Sequence, residues 1–304
     1  QTVFSGGVTR GTVLSGGAEI VSAGGAASGT VVDSGGTERV YGRAYEGTVV
    51  SGGREIVESG GVASGITVKH GGIQTVYSGG TTRGIVLSGG VETVHGTASG
   101  GRVNSGGTET VYGKASGGTI NGGLIEVRSG GSASGTVSFV SGGTLQLDAE
   151  ATFTGVIAGF TGPSPLDQLD LRGIAFGSGT TRSFTEAASN TSGTLTVTDG
   201  THSVHLTLLG NYITNNFALF TDSHGGTRVN NPPVSGGGAS QTTFADIAPA
   251  QLFFGATASG NPSNYLPATI VTNEQTWAGQ TLFATGPPGG PGGGDHNPLL
   301  PASS

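Results

Sequence analysis

Five glutamates and a glutamine, Glu19, Glu38, Glu55, Gln74, Glu92 and Glu109, recur at intervals of 17 to 19 residues. A row of carboxylates at fixed spacing is suited to holding hard cations or to accepting hydrogens from sugar hydroxyls. If successive members sit on neighbouring strands, about 4.8 Å apart, adjacent charges repel by about 1 kcal/mol even in water. The row therefore requires a cation, a hydrogen-bonding partner or good solvation. Alternation from the valine two residues on puts each glutamate on the inward face of a strand. Each also lies only two residues past a glycine pair, so the expected position is a bend, where the carboxylate accepts from corner amides or reaches solvent. That assigns the row a structural role ahead of a cation or sugar site.

The column beyond the valine carries a second row, Phe4, Tyr41, Tyr77, His95 and Tyr112. These residues are expected to face outward, where aromatic rings cover neighbouring strands, stack on sugars or fill an interface. Elsewhere, Asp167, Asp170 and Asp222 are oxygen donors of the kind a single metal ion uses, but capping of loops is the better reading for aspartates in such turns. Arg172 beside Asp167 and Asp170 is the nearest approach to the grouped carboxylates and base of a glycan-cleaving site. His202 and His205 stand three apart, which on a strand means opposite faces and no metal pair. No nucleophile elbow, phosphate loop or H-E-x-x-H motif is present. The nonapeptide of calcium-binding rolls is absent too. The expectation is a protein without catalytic residues and without a cofactor.

What must position these rows is set by an unusual composition. Of 304 residues, 62 are glycine, 12 are proline and none is cysteine or methionine. Collagen is excluded because the glycines come in pairs between apolar runs and not at every third position. The formal net charge is −7 and the only lysines are Lys69 and Lys114, so no basic patch could follow a nucleic-acid backbone. No apolar run is long enough to form a transmembrane segment. Absence of cysteine suits an exported chain, and a chain with no methionine that opens partway through a repeat reads as a processed or partial product. All twelve prolines fall at or after Pro163, which separates a proline-free region, residues 1–160, from a less regular stretch, 161–231, and a Gly/Pro-rich tail, 232–304, with apolar segments at 241–286 that suit docking strands.

The first region is a repeat of the form S-G-G-x-E-x-V-x-x-G-G-x-A-S-G-T-V-V. Its second leading glycines, 17, 36, 53, 72, 90, 107, 123 and 143, give eight copies of about 18 residues each. Two short apolar runs per copy, separated by glycine, predict strands joined by tight turns and leave no room for helices. Stacking the copies aligns Val3, Val21, Val40, Val57, Val76, Val94, Val111, Val127 and Leu147 in one core column, and Leu14, Val32, Val50, Val68, Leu87, Val103 and Ile120 in another. A third glycine column, Gly11, Gly29, Gly47, Gly65, Gly84, Gly100, Gly117 and Gly135, marks a third corner. The fold class predicted is all-β: a parallel β-solenoid of triangular section, one copy per coil, then an irregular β cap whose clearest element is a hairpin turning on Asp199-Gly200.

The segments SGGTERVYG (34–42), SGGTETVYG (105–113) and GGAASGTVV (24–32) resemble the repeats of self-associating autotransporter adhesins, the AIDA and antigen 43 type of bacterial passenger domains, over residues 1 to about 147. That resemblance implies an extracellular right-handed β-helix that mediates adhesion, self-association and biofilm formation, with glycosylation of repeat serines and threonines in some members. None of these 304 residues reads as that family's membrane barrel. TLTVTDGTHSVHLTLLGNY (194–212) and FTDSHGGTRV (220–229) also resemble a module that follows such repeats in large secreted surface proteins of alphaproteobacteria. The expected partners are copies of the same chain, as a homo-oligomer or filament, and surface glycans; the expected location is the extracellular cell surface. The alternatives are a subunit of an extracellular filament or surface layer built end to end and, third, a glycan-active β-helix enzyme using Asp167, Asp170 and Arg172.

Overall fold

A computed structural model describes residues 1–161 and 167–231. Ten strands stack in parallel on one face, from Thr2–Val3 and Ala18–Val21 through Gly143–Leu147 to Asp167–Ala175. The pairing keeps strict register: Val21 lies opposite Val40, Val40 opposite Val57, and Val57 opposite Val76. The second face begins Val8–Arg10, Ala26–Ser28, Arg43–Tyr45 and the third Val13–Leu14, Val31–Val32, Thr48–Val49. Towards the cap the second and third faces run together as single bent strands, Thr97–Asn104, Lys114–Asn121 and Ser132–Phe139. The chain is therefore a parallel β-solenoid, all-β as predicted, with about 18 residues per coil.

Each coil buries a valine or leucine from the first face, a small residue from the second (Ala27, Ala44, Ala63, Ala98, Ala115) and a larger aliphatic from the third. Burial of one such valine or leucine stabilises by about 1.5–3 kcal/mol; Val3, Val21 and Ala27 form a small cluster at the open end, and the rest join in one core that runs from Leu14 into the cap as far as Val229. The first apolar column is buried as predicted. In the second, Val49 and not Val50 takes the interior place, opposite Val32 and Val68.

The two glycines of a pair do different work. The first, as at Gly16, Gly35 and Gly52, adopts positive φ, which glycine alone enters without steric cost. The second lies against the preceding coil: a Cβ on Gly36, Gly53 or Gly72 would meet the carbonyl oxygen of Leu14, Val32 or Val49. At the corner between the first and second faces, the chain takes two forms. In the long form a turn closes through Gly25 N to Ser22 O, Gly61 N to Glu58 O and Gly80 N to Tyr77 O. In the short form, two residues briefer, one carbonyl receives two successive amides: Val21 O from Tyr41 and Gly42, Val76 O from His95 and Gly96, Val94 O from Tyr112 and Gly113.

The third glycine corner departs from expectation in one coil. Glu46, with φ 54°, occupies the position predicted for Gly47, between Gly29 and Gly65. This one-residue offset also moves the core position from Val50 to Val49. A left-handed conformation costs an ordinary residue about 1–2 kcal/mol, and glycine returns part of that through its freer unfolded chain. Glu46→Gly is therefore expected to stabilise the protein by about 1 kcal/mol, measured as a rise in the chemical-denaturation midpoint; an unchanged or lower midpoint contradicts the account.

The cap closes the far end of the stack. Strand Ser203–Leu209 adds in parallel to Val156–Ala158, and Ser192–Thr198 and Thr181–Glu186 follow it antiparallel. On the first face, Gly226–Asn230 and Ala218–Thr221 extend Asp167–Ala175 antiparallel. The predicted hairpin exists, but Thr198 pairs with Ser203, so a four-residue loop replaces the two-residue turn. Asp199 holds that loop by accepting from the amides of Thr201 and His202 at 2.8 and 2.7 Å and from Ala175 at 3.0 Å. These amide bonds, His202's first, keep its carboxyl well below the usual carboxylate range. Beneath the cap, Phe160 packs against Phe139 and Phe217, with ring centroids 5.4 and 6.4 Å away. Its carbonyl accepts from the Tyr212 hydroxyl at 3.1 Å and from Asn231 Nδ2 at 2.9 Å. The tail beyond residue 231, with its proposed docking strands, lies outside the described residues.

Candidate functional site

The glutamate row is inside the rod. Glu19, Glu38, Glu55, Glu92 and Glu109 are at most 5% exposed, and Gln74 is fully buried among them. This corrects the expected placement at a solvated bend: strand alternation, which carries the valine two residues later inward, carries the glutamate inward too. The small second-face residues make the room. Register sets Glu19 beside Glu38, Glu38 beside Glu55, Glu55 beside Gln74, Gln74 beside Glu92 and Glu92 beside Glu109.

Hydroxyls and one amide serve part of this row. Where the second face presents threonine, it donates to the glutamate ten residues on: Thr9 to Glu19 Oε1 at 2.9 Å and Thr82 to Glu92 Oε1 at 2.7 Å. Thr30 donates to Glu19 Oε2 at 3.3 Å, and Gln74 Nε2 to Glu55 Oε2 at 2.8 Å. One oxygen each of Glu38, Glu55 and Gln74 has no partner. No basic side chain is buried among the described residues. Two ionised neighbours would repel by about 3 kcal/mol at an effective dielectric of about 20, besides the cost of removing each charge from water. Burial first, and the adjoining Glu19 charge second, raise the Glu38 carboxyl to about 7. Burial raises Glu92 to about 7 against the bond from Thr82. Glu109 rises to about 8 by burial and then by the charge on Glu92, and Glu55 is held well above the usual range, chiefly by burial.

The aromatic row lies outside, as predicted: Tyr41, Tyr77 and Tyr112 are 39–46% exposed and Phe4 and His95 are exposed with them. Three of its members form a ladder, with Tyr77 and His95 stacked at 6.4 Å and His95 and Tyr112 at 4.9 Å. The ring faces turned along the rod axis are used within the ladder, so what it presents sideways is ring edges and tyrosine hydroxyls. In the neighbouring coils Arg39 pairs with Glu58, and Arg128 with Asp148 at 3.5 Å.

The aspartates at the cap are not one site. Asp167 accepts the Thr161 amide at 2.8 Å and stands apart from Asp170, which meets Arg172 at 3.4 Å; Asp222 lies 3.8 Å from the same guanidinium. Sequence distance hid the approach of Asp222 to the Asp170–Arg172 pair. Burial raises Asp170 against the Arg172 charge. Burial acts the same way on Asp222, but the amides of His224 and Gly226, at 2.7 Å each, hold it lower. Arg172 also lines an open groove of about 840 Å³ between the last coil and the cap, with Glu150, Phe153, Asp199, His202 and His224. Asp167 and Asp170 are not in its lining, so the carboxylates named for glycan cleavage do not converge there with Arg172. Among the described residues no group of three or more His, Asp or Glu could hold a metal ion, and no helix is long and apolar enough to cross a membrane.

The fold and these rows define the chain as a β-solenoid repeat protein whose distinctive chemistry is arrayed in columns along its length. No family model and no curated protein matches it. Among solved structures it is similar to the crystal structure of a TibC-catalysed, hyper-glycosylated TibA fragment, with 32% identity, covering 52% of this chain and 70% of that one, at a TM-score of 0.43.

Proposed function

We propose that this chain acts at the extracellular face of a bacterial cell as an adhesive β-solenoid that binds further copies of itself side by side, in adhesion or in a biofilm matrix. One observation carries the reading: over three successive coils the first face and its corner repeat their outward chemistry in register, with Thr75, Thr93 and Thr110 in one column and the Tyr77–His95–Tyr112 ladder beside them. A surface whose features recur at the strand spacing matches a second copy of itself, and many weak contacts then act together. The likeness of the repeats to self-associating adhesins supports the same reading. End-to-end filament growth is less favoured, because antiparallel strands cover the C-terminal end of the coils.

Sedimentation velocity on the native chain and on the Tyr77→Ser/His95→Ser/Tyr112→Ser variant tests it. Association is expected to weaken at least about tenfold in the variant, the equivalent of about 1.4 kcal/mol, while the melting temperature moves by a few degrees at most. A native chain that stays monomeric up to high concentration, or a variant that associates equally well, overturns the proposal. Uniform fibres under negative stain would favour the filament instead.

A further inference from the structure

The glutamates of the first face form an unbroken interior file with Gln74, lie within 5% of complete burial, and have no buried cation anywhere among the described residues to balance them. The groups facing this file are as telling. From the second face come Thr9, Ala27, Ala44, Ala63, Thr82, Ala98 and Ala115, and from the third Thr30, Ile66 and Ile85. None of them titrates near neutrality, so apart from the Gln1 ammonium, which donates to Ala18 O at 2.8 Å at the end of the file next to Glu19, the only ionisable neighbours of a rung are other rungs. Two carboxyl oxygens, on Glu38 and Glu55, lack a donor, as they would where the missing donor is the hydrogen of a neighbouring carboxylic acid. The file already contains a permanently neutral rung of the same shape, Gln74, which donates to Glu55 at 2.8 Å.

We propose that this file is a proton-loaded spine: Glu38, Glu55, Glu92 and Glu109 are carried as neutral carboxylic acids that pass hydrogen bonds along the rod, and their ionisation loosens the coils. The solenoid is then a pH-responsive structure that tightens in weak acid and relaxes above neutrality. The direction follows from linkage. A carboxyl whose folded-state affinity for a proton exceeds its unfolded one adds stability that is complete below the unfolded value, near 4.5, and is lost as pH rises through the folded value, about 7 for Glu92 and about 8 for Glu109. Ordinary paired surface carboxylates act in the opposite sense, so the two origins are separable.

The test uses the full chain and two readouts. In denaturant titrations the unfolding constant is expected to rise by about 10²-fold or more between pH 5 and pH 8. In the Glu38→Gln/Glu55→Gln/Glu92→Gln/Glu109→Gln variant, which extends the precedent of Gln74, most of that rise should vanish and stability at pH 8 should exceed that of the native chain. Infrared difference spectra of the native protein in heavy water should retain the carbonyl stretch of protonated carboxyls at pH 6.5, and this readout holds even if the variant fails to fold. Stability that is flat or increases from pH 5 to pH 8 overturns the proposal. So does the absence of that infrared band, or a stability at pH 8 that depends on an added metal cation and is lost in chelator, since the file would then hold cations in place of protons.

Discussion

Gly61→Ala is expected to cost about 3 kcal/mol or more, a large share of the stability of an ordinary domain. The methyl group would lie against the backbone carbonyl of Val40 in the preceding coil, well inside van der Waals contact, with the Glu58 carbonyl 3.0 Å away on the other side. No rotamer relieves a clash between a Cβ and a main chain, so either the coils part or the strand leaves register. Parting would open the hydrogen bonds that join coil to coil here, from Val62 N to Gly42 O and from Thr81 N to Gly61 O, 2.9 and 3.0 Å long. Gly60 is the internal control. It has φ +81° and open space around the added carbon, so Gly60→Ala should cost only the conformational penalty of about 1–2 kcal/mol. Equilibrium denaturation of the two variants measures the difference. Equal losses would mean that the second glycine of the pair is retained for backbone conformation alone and that close approach of the coils is not limiting.

The other large effect is expected at the junction of rod and cap. Phe160→Ala should destabilise by about 3–5 kcal/mol, the usual range for removing a fully buried phenyl ring. The ring bridges Phe139 of the last regular coils and Phe217 of the cap, and Phe184 and Tyr212 complete the cluster, with centroids 5.5–5.6 Å apart. Burial first, and the Asp167 charge second, push the Tyr212 hydroxyl up to about 12, which keeps it a donor to Phe160 O at any ordinary pH. Phe160→Leu retains most of the volume and should lose less than about 1.5 kcal/mol. Limited proteolysis adds location: the alanine variant should be cut first within residues 167–231 while the coils stay protected. A loss below about 1 kcal/mol, or cutting that begins in the coils, contradicts the bridging role.

The rod was readable because two simple signals agree in every copy, apolar alternation and paired glycine. Where they disagree, the pattern misleads. For the glutamates, alternation pointed inward while proximity to a glycine pair and the charge of a carboxylate pointed outward. The charge was the wrong premise, since burial beside alanine and threonine raises the proton affinity of Glu38, Glu55, Glu92 and Glu109 and so weakens the demand for solvent. Gln74 was the available clue, because a neutral residue in a row of acids shows that charge is not what the position requires. The coil at Glu46 failed for a different reason: a non-glycine residue in the left-handed corner shifted the alignment by one and exchanged Val50 for Val49. The cap had no repeat to average over. Neither the meeting of Asp170, Arg172 and Asp222 nor the Phe160–Tyr212–Phe217 cluster has a local signature, and the Asp199 loop proved longer because its carboxylate organises four residues and not two.

The long and short forms of the corner after the first face have a consequence for how such a chain can change its size. Copies that differ by two residues there still deliver the next strand to the same register, so slippage or recombination between imperfect copies yields whole coils that stack on their neighbours without repair elsewhere. Each added copy lengthens the rod by about one strand spacing, about 4.8 Å, and carries another rung of every column with it. The length of the rod is thereby a heritable quantity that can be set by counting, independently of the chemistry displayed along the way.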